Sequence, residues 1–199
     1  MRNKLQKGDV LLVVDPQIDF FPNGALGVAE GDQILPVINH WIAAAEKAEI
    51  PIVISRDWHP ANHISFHQQG GPWPSHCVRD TQGAAFHPDL KLPKNAIIVD
   101  KAIEPNREAY SAFAGVTHVG GVMLNEELQT LGITRLWIGG LALDYCVFHT
   151  ALDARKLNLD VHVILPACRA ISDKTGQEAL QKMRHDGVVI ELDTSPYEK

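Results

Sequence analysis

The chain has no apolar run approaching the roughly 18 residues that a membrane span requires, and its first hydrophobic stretch, "VLLVV", stops at Asp15. That stretch is also shorter than a signal-peptide core, so neither membrane insertion nor export is expected. Cysteine is scarce: three residues, an odd number with no framework spacing, exclude a disulfide scaffold and suit a reducing compartment, the cytoplasm, with at least one thiol free. Basic residues are outnumbered, 18 Lys and Arg against 24 Asp and Glu for a net charge of −6. This argues against nucleic acid or an anionic membrane as partner, since both select clustered cations. A glycine-rich phosphate loop is missing too, because "DPQIDFFPNG" follows the first apolar run; a nucleotide-binding flavodoxin-like protein is correspondingly disfavoured. No internal repeat or low-complexity linker interrupts the 199 residues, a length that suits a single domain over 1–199 with a sizeable core.

What the sequence does contain is rhythm. Runs rich in Val and Ile recur at "DVLLVVD", "PIVIS", "NAIIVD", "TRLWIGG", "DVHVILP" and "VVIEL", and they read as strands buried on both faces. Helical patterns lie between most of them: "QILPVINHWIAAAEKAE", "GVMLNEELQTLG", "DYCVFHTALDARKLN" and "KTGQEALQKMRHDG". The alternation predicts an α/β fold, a three-layer doubly wound sandwich around a mainly parallel six-stranded sheet. Two connections are long, from Arg56 to about Asn95 and from Lys101 to about Gly121. Both leave the carboxyl end of a predicted strand, the edge where open parallel sheets place ligands.

That edge collects reactive groups: Asp15, then Asp57 and His59, then Lys101, then Cys146 after "GGLALDY". Cys146 falls in the first turn of a predicted helix, where free N–H groups and the helix dipole favour a thiolate, with Asp144 as cap. Asp15 can serve as base toward the thiol and then as acid toward a leaving group, with Lys101 as the cation that tunes it. The "GGLAL" turn can aim backbone N–H groups at a developing oxyanion. His149, three residues after Cys146 on the same helical face, is a rival base, but its side chain leans toward the helix N-terminus and would need to reach past Cys146 toward the ligand, so a packed or capping role is expected. Half of the ten histidines, His59, His63, His67, His76 and His87, crowd the loop after Arg56. Asp57 and His59 point the same way in extended chain, and His76 completes a set of two imidazoles and one carboxylate, with His63 as a fourth candidate. Zinc, iron(II) and manganese all accept such donors. His67 and His87 read as solvated, and Cys77 and Cys168 as structural.

The segments "LLVVDPQIDFFPNGAL", "SRDWHPANHISF", "GGPWPSHCVRDTQGAAFHPDL", "DKAIEPNREAYSAF" and "GGLALDYCV" closely resemble, in order and spacing, the nicotinamidase family within the isochorismatase-like cysteine hydrolases. The resemblance spans essentially the whole chain. It implies a catalytic triad of Asp15, Lys101 and Cys146 and one divalent metal ion, zinc foremost, on Asp57, His59 and His76; His63 ligates in some members and not in others. It further implies a cis peptide between Leu141 and Ala142, an oxyanion site made by the N–H groups of Ala142 and Cys146, and aromatic walls from Phe20, Trp73 and Tyr110. The implied reaction is amide hydrolysis of a small aromatic amide, nicotinamide to nicotinic acid and ammonia through a thioester, feeding NAD salvage and extending to pyrazinamide. A homo-oligomer is left open. The chain departs from the family at Leu143, where threonine is frequent, and at Ala102, where glycine is frequent. Two alternatives stand beside this reading: an amidase acting on a carbamoyl or ureido compound, and a hydrolase in which the metal rather than Cys146 performs the chemistry.

Overall fold

The computed structural model describes residues 2–198. In chain order the strands are β1 (Asp9–Val14), β2 (Ile52–Asp57), β3 (Ile97–Lys101), β4 (Val116–Thr117), β5 (Arg135–Leu141), β6 (Asp160–Arg169) and β7 (Val189–Glu191). The helices are α1 (Ile34–Lys47), α2 (Leu124–Thr130), α3 (Phe148–Lys156) and α4 (Asp173–His185). All six expected strands form, in one sheet of order β4-β3-β2-β1-β5-β6-β7. The seventh, β4, is a two-residue strand that runs antiparallel along the β3 edge. It lies inside the second long loop and is too short to carry a period in the sequence; its pairing with β3 is what makes it a strand.

The sheet separates the core into two halves by simple alternation. Leu11 and Val13 of β1 point to the α1 side, with Ile38, Trp41, Ile54 and Trp137. Val10, Leu12 and Val14 point to the opposite side, with Leu136, Val147, Ala151 and Met183. Every residue of β1 is buried, as a strand covered on both faces requires. Among the described residues no helix is long and apolar enough to cross a membrane.

Parallel register then decides which residues meet at the carboxyl edge. Val13 pairs with Ile54, and just beyond the ladder the Asp15 N–H donates to the Ser55 carbonyl at 3.2 Å. Asp57 pairs directly with Lys101 across β2 and β3. The two glycines of "IGGL" lie inside β5 rather than in a turn. Gly140 has φ +134°, and a Cβ there would sit 2.0 Å from the Val14 carbonyl oxygen. Only glycine lets β5 approach β1 so closely, and that approach brings the turn after β5 over the end of β1.

Candidate active site

Lys101 occupies the centre of the carboxyl edge. It is 1% exposed. Its Nζ lies 2.9 Å from Asp15 Oδ2 and donates a short hydrogen bond to Asp57 Oδ1, with the Ala109 carbonyl at 3.2 Å and the Cys146 Sγ at 3.5 Å. One ammonium thus touches the candidate base, the candidate metal carboxylate and the candidate nucleophile. Burial by itself would lower the lysine's pKa, but the two carboxylates outweigh it and hold the group protonated.

Asp15 is fully buried, and its residue departs from β1 at φ +47°. Ser55, a polar residue in an apolar strand, donates its hydroxyl to Asp15 Oδ1 at 2.7 Å. Oδ2 accepts no aligned hydrogen bond; its neighbour is the Lys101 ammonium in an ion pair. That oxygen is the one left to receive a proton, and donor atoms of Asp15 and Cys146 lie within 4.8 Å of each other. Burial raises the Asp15 carboxyl above its ordinary value even against Lys101, which makes it a stronger base than a solvated aspartate.

Cys146 sits in a π-helical turn, Leu143–Val147, that runs into α3. The expectation of a thiol acidified by the helix terminus is not met. Burial pushes the thiol well above its ordinary value, and Asp15 and Asp57 add to the effect while Lys101 opposes it. The resting group is therefore the thiol, and a nucleophile forms only when a base takes its proton. Asp144 also differs from expectation: the turn has no side-chain cap, and the Asp144 carboxylate reaches across to the segment that leads into α4. It accepts from the N–H of Ile171 at 2.9 Å and of Ser172 at 3.3 Å, and from Thr175 Oγ1 at 2.5 Å. The peptide between Leu141 and Ala142 is cis, and Ala142 and Cys146 line the same cleft.

Asp57, His59 and His76 offer ligand atoms that lie within 4.8 Å of one another. His59 Nδ1 donates to the His76 carbonyl at 3.0 Å, and His76 Nδ1 donates to the Pro74 carbonyl at 2.8 Å. Those bonds fix each ring and leave each Nε2 lone pair for a cation. Burial lowers the His59 pKa to about 4, so the ring is neutral near pH 7, as ligation requires. For Asp57, burial works against ionisation, yet Lys101, His59 and His76 together hold its carboxyl below the ordinary value. These donors could hold one divalent ion. His63 lies beside the trio, its ring 4.4 Å from that of His59, but both nitrogens are engaged: Nδ1 with Ser65 Oγ at 2.7 Å, Nε2 with the Arg107 carbonyl at 3.0 Å.

Local pairing holds the long loop in place. The segments around His59 and Val78 form a parallel bridge, with His59 N–H donating to the Cys77 carbonyl and Arg79 N–H to the His59 carbonyl. Gln17, absent from the sequence reasoning, clamps Asp57 in both directions: Nε2 donates to its carbonyl and Oε1 accepts its N–H, each at 2.7 Å. Asp19 accepts the Cys77 N–H at 2.7 Å and so fixes the residue next to His76. Ser55 had a readable signal, because it stands two residues before Asp57 and shares its strand face.

Aromatic rings line the cleft. Phe20 meets His76 edge-on at 5.5 Å, and Trp73 meets Tyr145 edge-on at 5.0 Å while donating Nε1–H to Tyr110 Oη at 3.0 Å. Tyr145 and Glu108 line the cleft without having been singled out in the sequence. His149 stacks on Tyr110 at 5.3 Å and is not a lining residue. His67 is exposed, as expected, whereas His87 is partly buried against Phe21 at 4.4 Å. Cys77 and Cys168 are buried free thiols, and burial pushes Cys168 up to about 12.

The model of the isochorismatase domain matches residues 9–194. A nicotinamidase of Acinetobacter baylyi is 41% identical over 94% of this chain and 94% of its own length, and one of Escherichia coli is 38% identical over 81% of this chain and 83% of its own. Among solved structures, the pyrazinamidase of Pyrococcus horikoshii in complex with zinc has a TM-score of 0.86 at 45% identity, covering 92% of this chain and 98% of that one. By domain model, sequence and fold alike, the chain belongs to the isochorismatase family and sides with its nicotinamidases.

Proposed function

We propose that the protein is a nicotinamidase, an amidohydrolase that converts nicotinamide to nicotinic acid and ammonia and also accepts pyrazinamide. The observation that carries this reading is the shared contact of Lys101 Nζ with Asp15, Asp57 and Cys146, which joins a thiol, its base and a metal-type donor set in one cleft. Asp57, His59 and His76 would hold one divalent ion, zinc in this reading, which would supply a Lewis-acidic point for an aromatic ring nitrogen. The fixed Nε2 lone pairs of the two histidines support that fit, and His63 stays outside the ligand set.

Asp15 removes the Cys146 proton, which the high thiol pKa makes necessary, and the sulfur adds to the amide carbon. The N–H groups of Ala142 and Cys146 hold the oxyanion. Asp15 returns its proton to the departing ammonia, leaving a thioester. It then takes a proton from water, which attacks the thioester; the carbon–sulfur bond breaks, the acid is freed and the Cys146 thiolate recovers the proton from Asp15. Lys101 stays charged throughout and compensates whichever of Asp15 and Cys146 is anionic. Phe20, Trp73 and Tyr110 sandwich the ring. Cys146→Ala should abolish ammonia release from nicotinamide while the metal content of the purified protein is unchanged. Ammonia release that persists in this variant would place the chemistry at the metal and sink the scheme.

A further inference from the structure

Glu108 carries a charge that none of these roles uses. It is exposed, lines the cleft, and has a carboxylate oxygen within 4.8 Å of ring nitrogens of His59 and His63. Its Oε1 accepts the Ala109 N–H at 2.9 Å, and the Ala109 carbonyl accepts from Lys101 Nζ, so Ala109 links the carboxylate to the triad lysine. His59 Nδ1 and His63 Nε2 donate to backbone carbonyls. The adjacent cation, Arg107, pairs with Glu104 at 3.9 Å.

Charge decides what such a group does. Asp15 and Asp57 with Lys101 leave one net negative charge, and a divalent ion turns that into one net positive charge. A cleft of that sign would retain the carboxylate it produces. Glu108 brings the total to zero. We propose that Glu108 is a specificity-determining residue that separates the neutral amide from its anionic product: its charge weakens binding of the pyridine carboxylate and hastens its departure, with little effect on the amide. This inference rests on the amidase reading above.

Calorimetric titration of the metal-loaded protein tests it, with nicotinate as one probe and, in a Cys146→Ala background, nicotinamide as the other. Glu108→Gln should lower the Kd for nicotinate about three- to tenfold, as expected when one like charge is removed from the lining of a partly solvated cleft. The Kd for nicotinamide should move less than about twofold, and the nicotinate effect should shrink in high salt because it is a charge effect. Metal content should equal that of the parent protein. An unchanged nicotinate Kd, an equal shift for both ligands, or loss of metal from the variant each overturns the proposal. Ammonia release from nicotinamide by the parent protein keeps these failures distinct from failure of the amidase reading, since its absence would overturn both.

Discussion

Replacing Lys101 with methionine should be the most damaging single change in the molecule that leaves its packing volume nearly intact. The side chain is 0% exposed, as is that of Asp15, and that of Asp57 is 6% exposed. Methionine fills similar space but leaves two buried carboxylates facing each other, with Ser55 and the Gln17-clamped backbone as the remaining support. Removing one partner of a buried ion pair typically costs about 3–5 kcal/mol, because the orphaned charge cannot recover its hydration. For a chain of this size that corresponds to a fall in Tm of about 6–20 °C. Urea denaturation of the metal-free protein at pH 7 is the assay. The double variant Lys101→Met, Asp15→Asn should regain at least about half of the loss, since removing one carboxylate removes the repulsion. A single variant within about 1 kcal/mol of the parent, or a double variant no better than the single, would refute the argument that charge compensation by Lys101 holds the site together.

Three further outcomes follow from contacts around the site. Gln17→Leu strands the Asp57 N–H and carbonyl, and a competitive metal titration should show affinity reduced about 10–100-fold, the usual cost of losing an outer support. Asp144→Ala removes the acceptor shared by Ile171, Ser172 and Thr175; stability should fall by about 1–3 kcal/mol in urea, and kcat should fall more than KM rises, because the turn carrying Cys146 loosens. Asn at the same position should recover part of both. Trp73→Ala deletes the wall that contacts Tyr145 and Tyr110, so KM for nicotinamide should rise about tenfold in steady-state ammonia release, in line with about 1–2 kcal/mol for an aromatic contact and its buried area.

The two long loops show where sequence reasoning stopped. Asp57 and His59 were legible because a two-residue period fixes a shared direction, and His76 because histidines are concentrated in that stretch. The state of Cys146 was not legible. A helix terminus argues for a thiolate, whereas full burial beside Asp15 and Asp57 argues for a thiol and wins. Asp144 misled for a related reason: its local position suits a cap for its own helix, but its partners, Ile171, Ser172 and Thr175, lie just before α4 and in its first turn, far along the chain. Ala102, where glycine is frequent in the family, has φ +53°, so the preference there reflects a left-handed backbone rather than any chemistry. Leu143, the other departure, is buried in the core half that holds Cys146 and Val147.

Periodic apolar runs and their spacing determined by themselves the parallel α/β sheet, its two-sided core and the edge on which Asp15, Asp57, Lys101 and Cys146 converge, because strand and helix periods are local properties of the chain. The tertiary structure alone decided that Lys101 bridges all three others, that Gln17 and Asp19 brace the donor loop, that both nitrogens of His63 are engaged elsewhere, and that an exposed Glu108 lines the cleft. Each of these depends on register between strands and on pairing between distant loops, and burial changes the charge of a group only after those pairings exist.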